Sequence, residues 1–425
     1  GGGGPSTFSG TMAGMSLRSQ INAAVQPAAP GEFAPLRLSE EISVWPPVVL
    51  APMAGVTNPP YRSLCRRQGA GLYVAEMLHA RGLAERDSKT LGLASFGEDE
   101  AVRSIQIFGA DPVAMAEATR FLVGEMGVDH VDVNMGCPVR KVTSKGGGSA
   151  LPARPALMAQ CLGAVVKAAG DVPVTAKCRL GIDDECMTWR DAVAVCAGEG
   201  VRWLGVHART AAQHYAGQAR WAVLGEIKAA STIPILGNGD IWEAFDALRM
   251  MRSTGVDGVI IGRGCLGRPW LFRELADVFD GKEPAMPPTL GEVLDVLREH
   301  AALLAGFFGE ARGMREVRKW CTWYTKGFPG SARVRAALQH VETLDDLERG
   351  LSELDGSAAF PAAALRVSRG KRGGEQEKVS LPEGWLDLAA REQVESRSGA
   401  REGSTSPSTP ATGEACSVDV SDRPS

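Results

Sequence analysis

Three features of the sequence predict an α/β chain that closes first into a (β/α)8 TIM barrel and then continues into a small all-helical domain. Eight short apolar runs alternate with helix-like segments between about residues 45 and 280, the rhythm of a parallel sheet with crossover helices. Eight such units in roughly 240 residues match the ~250 residues usual for a closed barrel. The turn after the first run, APMAGVTNPP, contains no GxGxxG, which an open doubly wound sheet would need at that place to bind a dinucleotide.

The expected strands lie at 48–53, 71–77, 104–109, 130–136, 172–180, 203–210, 233–240 and 258–264. Helices fill the gaps. Over 111–124 an Asp–Pro pair supplies an N-cap acid and a proline in the first turn, and Pro155 and Thr188 open two further helices. After Asp280 the run GKEPAMPP breaks the alternation, and a helical pattern follows from about 290 to 350. The expected division is a disordered lead-in over 1–44, the barrel over 45–285, the helical domain over 286–355, and a mostly disordered, Gly/Ser/Glu/Arg/Thr-rich tail over 356–425.

Composition narrows the class. Of 425 residues, 44% are hydrophobic and 23% charged, which excludes collagenous and wholly disordered chains. A net charge of −4 excludes a general nucleic-acid coat, so any RNA-binding surface must be a local patch. The absence of an apolar run of about 18 residues argues against a membrane span. Nine cysteines without a CxxC pair suit neither a disulfide scaffold nor a zinc ribbon, so no metal is expected and a reducing cytoplasm fits best. The first forty residues lack a signal-like apolar core, and Met12 and Met15 are alternative expected starts. Nothing in the sequence demands a dimer, so a monomer is expected.

Barrels of this kind carry function at the C-terminal ends of their strands. The last two strands end in GNGD and IGRG, where Asn238, Gly239 and Gly262 offer close backbone approach and Arg263 a cation, so a phosphorylated ligand is expected. Tight turns alone would explain either cluster, but not both at adjacent strand ends. Gln106, Asn134, Lys177, Arg179 and His207 project from apolar segments, an expensive placement unless they bind something. A flat heterocycle with carbonyls and ring nitrogens would use them, and flavin mononucleotide, FMN, has that combination.

Cys137 ends the fourth strand within NMGCP, and Arg140, Lys141 and Lys145 follow closely. A thiol so placed is a candidate general acid; a buried, inert cysteine is the plainer reading. Residues 311–340 hold seven Lys or Arg and one Glu, a net of +6. Helical spacing puts Arg312, Arg315, Lys319 and Lys326 on one face and Met314, Val317, Cys321 and Tyr324 on another, which suits phosphate contacts on one side and packing on the other. A solvated charged face is the bland alternative. Trp323 is placed either to stack on an exposed base or to pack between helices.

The segments APMAGVTNPPYR, QIFG, DVNMGCPVRKVTSKGGGSAL, KCRLG, HARTAAQHYAGQARW, GNGDI and IGRG resemble, in order and spacing, the tRNA-dihydrouridine synthases. RKWCTWYTKGFPGSARVRAAL resembles that family's C-terminal tRNA-binding domain in its bacterial branch, so the resemblance covers about 48–346. It implies that NADPH (or NADH) reduces FMN, that hydride passes to C6 of a uracil flipped from the tRNA D-loop, and that Cys137 protonates C5. By the same resemblance Pro52, Met53 and Ala54 line the flavin through their backbone, Gln106 reads its pyrimidine edge, and Lys177 faces N1 and O2. His207, Asn238, Gly239, Gly262 and Arg263 complete that site, Asn134 and Arg179 hold the uracil, and Lys141, Arg315, Lys319 and Lys326 face the RNA. Pro152, Ala153 and Arg154 depart from the family pattern after GGGSAL. The alternatives are a flavin barrel acting on a free small molecule, of dihydroorotate-dehydrogenase or enoate-reductase type, and a non-catalytic tRNA-binding or folding protein.

Overall fold

In the computed structural model, which describes residues 17–390 apart from 70, 371, 372 and 389, eight strands pair in parallel around a closed barrel. They are β1 (Val48–Leu50), β2 (Leu72–His79), β3 (Ser104–Phe108), β4 (His130–Met135), β5 (Val174–Arg179), β6 (Leu204–His207), β7 (Ile235–Asn238) and β8 (Gly258–Ile261), with β8 closing on β1. Every expected strand forms. The strands are buried along nearly their whole length, as parallel strands covered on both sides must be, and so they read as apolar runs rather than alternating ones.

The outer helices start where the sequence supplies caps. Helix α1 (Pro59–Gln68) begins with Asn58 accepting from the Tyr61 amide, and α2 (Pro112–Gly124) with Asp111 accepting from Val113 and Ala114. Then follow α3 (Pro155–Ala169), α4 (Trp189–Gly198), α5 (Trp221–Ala230), α6 (Ala244–Thr254) and α7 (Leu271–Phe279). Only short helices, Ala80–Ala84 and Ser88–Leu93, follow β2.

Beyond the barrel come α8 (Leu290–Phe308), α9 (Glu310–Tyr324), α10 (Ser331–Leu338) and α11 (Leu344–Leu351). Helices α8 and α9 approach closely because Gly313 has no side chain; a Cβ there would lie 2.7 Å from the backbone of Ala305. The pair docks on α1 through an aromatic cluster in which Tyr61 lies 4.5 Å from Trp320 and 5.5 Å from His300. Among the described residues no helix is long and apolar enough to cross a membrane.

The expected disorder of both ends is corrected for the residues described. In the lead-in, the hairpin Leu36–Arg37 with Ser43–Val44 plugs the barrel floor, where Leu36, Leu38 and Val44 pack against Val49, Leu72, Trp203, Leu236 and Ile260. Arg18 stacks on Phe245 at 4.0 Å, and Asn22 bonds Asp246. In the tail, Phe360 packs between Trp270 and Phe328, and Leu365 is buried. The buried Arg369 donates to the Trp323 carbonyl at 3.0 Å. Beside these apolar contacts, arginines anchor the tail on backbone carbonyls, a contribution that low hydrophobicity conceals. Residues 1–16 and 391–425 lie outside the described residues.

Candidate active site

The C-terminal ends of the strands surround a cavity of about 440 Å³. Its lining includes Pro52, Met53, Ala54, Gln106, Asn134, Cys137, Lys177, Arg179, His207, Asn238, Gly239, Gly262 and Arg263, so the expected barrel residues converge on one space. Strand register explains the convergence: in the parallel ladder Gln106 pairs with Asp132, Asn134 with Lys177, Arg179 with His207 and His207 with Asn238. Neighbouring inward positions thus form one polar belt at the strand ends.

A chain of hydrogen bonds holds that belt from below. His130 bridges Ser104 and Thr175 at 2.6 and 2.7 Å, and Thr175 donates to Asp132 at 2.5 Å. Asp132 accepts from the Gln106 amide nitrogen at 2.6 Å, and the Gln106 amide oxygen accepts from Asn134 at 2.8 Å. The Asn134 oxygen accepts from the backbone amides of Gly136 and Cys137 at 3.0 and 2.9 Å. Thus Asn134, expected to hold a uracil, also fixes the turn that presents the Cys137 thiol. Burial pulls His130 down to about 3, so it stays neutral, and raises Asp132.

Cationic groups dominate the cavity wall. The described lining has Lys177, Arg179, Arg263 and Lys319 against one carboxylate, Asp240, and that carboxylate is held by both oxygens at 2.9 Å from the buried Arg209. Burial and the neighbouring Arg179, Lys177, Arg209 and Arg263 hold His207 neutral, well below its usual range. Among the described residues nothing forms a hydrogen bond or ion pair with the Lys177 ammonium, which burial pulls down to about 8. Arg179, in contrast, is spent on the carbonyls of Gly136, Thr210 and His214. Excess positive charge with an uncommitted ammonium calls for an anionic ligand. Open space at Gly262, where a Cβ would meet nothing nearer than Asn238 at 3.9 Å, leaves room for a phosphate cradle, and at Gly239 (φ +122°) a Cβ would lie 2.9 Å from the Ala219 Cβ and 3.1 Å from the His207 ring. The donor set therefore fits a phosphate-bearing flavin.

Of the expected RNA-facing cations, Lys319 alone lines the cavity, bonded to the Gly55 carbonyl and to Glu316, each at 2.6 Å. Lys141 is exposed on the short helix Arg140–Thr143, and Arg315 is exposed on α9. Lys326 falls past the end of α9 and donates to the Ser368 carbonyl at 2.7 Å, so the expected single cationic face does not extend to it. Arg312 lies over Phe308 at 4.3 Å. The packing face forms as expected, with Met314, Val317, Cys321 and Tyr324 buried. Trp323 lines the cavity and also meets Trp320 edge-on.

Sequence reasoning missed Asp132, Arg209, Tyr215, Asp240 and Trp242. For Asp132 a signal existed, since His130, Asp132 and Asn134 alternate along β4 and point to one side. Tyr215, which stacks with Arg263 at 4.2 Å, comes from a loop and was marked by its place in the HARTAAQHYAGQARW segment, not by any strand pattern.

The family model described as "Dihydrouridine synthase (Dus)" matches residues 49–363. The chain belongs to the dihydrouridine synthase family. Members are flavin-dependent oxidoreductases, in keeping with the anion-seeking cavity. The probable tRNA-dihydrouridine synthase of Mycobacterium tuberculosis (strain ATCC 25618 / H37Rv) is 48% identical over 373 residues, 85% of this chain and 94% of that protein. tRNA-dihydrouridine synthase B of Pseudomonas aeruginosa is 43% identical over 300 residues, 70% of this chain and 89% of the relative. Histamine dehydrogenase from Rhizobium sp. 4-9 superposes with a TM-score of 0.45 at 13% identity, covering 78% of this chain and 66% of that one, too distant to add to the assignment.

Proposed function

We propose that this chain reduces the C5–C6 double bond of a uridine in the D-loop of tRNA, with FMN as its flavin and NADPH or NADH as reductant, in the cytoplasm. The observation that carries the reading is Cys137 at the wall of a cationic, glycine-lined cavity. Gly239, Gly262 and Arg263 would hold the phosphate, with Asn238 and His207 beside it, and Pro52, Met53, Ala54 and Gln106 would border the ring. Lys177 would face the part of the ring that becomes anionic. When bound and reduced, FMN supplies a hydride to C6.

The chain's own contribution is proton delivery and placement. Cys137 holds a proton on Sγ and releases it to C5, and the thiolate then regains a proton from solvent. Asn134 keeps the turn rigid through two backbone amides, so the thiol meets the base in one orientation. Arg179 supports the same turn by donating to the Gly136 carbonyl. Trp323, Lys319 and Tyr215 line the same cavity, and Lys141 and Arg315 are proposed to contact the RNA outside it, whereas Lys326 is engaged by the Ser368 carbonyl.

Cys137→Ala should lower dihydrouridine formation by about 10²–10⁴-fold, the usual weight of a general acid, with tRNA affinity nearly unchanged. Mapping dihydrouridine in tRNA treated with either protein checks this. Turnover of free uracil or orotate at the rate found for tRNA would overturn the substrate assignment.

A further inference from the structure

The turn that carries Cys137 is pinned from the barrel side by Asn134, but its outer half is glycine-rich, with Gly146, Gly147 and Gly148 in succession. Such a run loses more conformational entropy on ordering than any other. Its order matters to the thiol: the Ser149 amide donates to the Cys137 carbonyl at 3.0 Å, and a Cβ on Gly148 would lie 2.5 Å from that same oxygen. Whatever holds residues 146–150 therefore holds Cys137.

What lies there is the C-terminal segment. Trp385 presses its ring on Gly146 so closely that a Cβ at that position would collide with the indole. Its Nε1 donates to the Ala150 carbonyl at 2.8 Å, and Arg154 covers the ring at 5.0 Å. The segment is anchored on the way, since Glu377 donates its amide to the Ala212 carbonyl at 2.9 Å and Val379 packs with Ala153, Ile182, Ala211 and Ala212. A large rigid side chain with a single donor suits a clamp on a flexible loop, because it supplies contact area at little entropic cost. Trp385 does not itself line the cavity, so its action passes through the loop.

We propose that Trp385 is a positioning residue for Cys137, clamping the glycine-rich half of the catalytic turn from outside the barrel. The proposal rests on the reading of Cys137 as proton donor, but its test does not. In the full-length protein, iodoacetamide labelling of Cys137 is followed by peptide mass spectrometry, with the buried Cys178 as a gauge of global opening. Trp385→Ala should speed Cys137 labelling by about tenfold, and Trp385→Phe, which keeps the ring but loses the N–H, by about threefold, the range one hydrogen bond spans. Cys178 should stay unreactive. Dihydrouridine formation in Trp385→Ala should fall in kcat with KM for tRNA unchanged. Unchanged Cys137 labelling, or a parallel rise at Cys178, would overturn the clamp; if the alanine variant does not fold, an unchanged rate in Trp385→Phe does so. Should the wild-type protein fail to reduce tRNA, the proposed function falls while the labelling still reports on the clamp.

Discussion

Lys177 shows how a single side chain ties the site's charge to pH. Burial pulls its ammonium to about 8 from 10.5, so above pH 8 the unliganded site increasingly holds a neutral amine. The ring edge that turns anionic on reduction favours the charged form, so binding of reduced FMN above that pH must take up a proton. Affinity for reduced FMN should therefore be full below pH 8 and fall as pH rises through it, by up to about tenfold per unit, and Lys177→Met should abolish that slope. Anaerobic equilibrium titration with reduced FMN between pH 7 and 9.5 checks both. The sign reverses for the ligand-free fold, which gains stability between pH 8 and 10.5, where only the unfolded chain still holds the proton. At Gly148 the constraint is steric. Its φ of +57° and the nearby Cys137 carbonyl leave no room for a methyl group, so Gly148→Ala should cost ~1–3 kcal/mol and slow uridine reduction while flavin binding persists. Thermal melts and single-turnover rates separate the two effects.

Helix α9 divides its surface as an amphipathic helix should, yet its cations do not share one task. Arg312 is stacked on Phe308, Arg318 donates to the Val341 carbonyl, and Lys319 reaches the cavity rim. Arg315 projects from the exposed side. If it contacts a phosphate, Arg315→Ala should weaken tRNA binding uniformly across tRNA species and reduce the slope of log affinity against log salt by about one. Filter binding over a salt series measures this, and an unchanged slope removes Arg315 from the interface. The packing face was readable from spacing of three and four, because helical periodicity is local. The end of the helix at Tyr324, which detaches Lys326, was not.

Across the molecule, the tail binds barrel and helical domain together. Arg268 donates to the Leu365 carbonyl at 2.9 Å, Arg369 to the Trp323 carbonyl, and Phe360 fills a gap between Trp270 and Phe328. Ending the chain after residue 355 would expose Phe360's and Leu365's partners, at ~1.5–3 kcal/mol for each buried side chain lost. The melting temperature should drop by at least about 5 °C, and an unchanged melt would show that these contacts contribute nothing.

The barrel and the converging polar positions were legible because a parallel strand buried on both faces must be an apolar run, and a polar residue at its end stands out against it. Cys137, Lys177, His207 and the glycines of the last two strand ends were found in that way. Packing alone revealed that Asn134 is tied through Gln106 to Asp132, that Arg179 is consumed by carbonyls, and that the polar tail reaches the Gly146 turn through Trp385. Those partners stand far apart along the chain, and no local pattern records which carbonyl a distant side chain will meet.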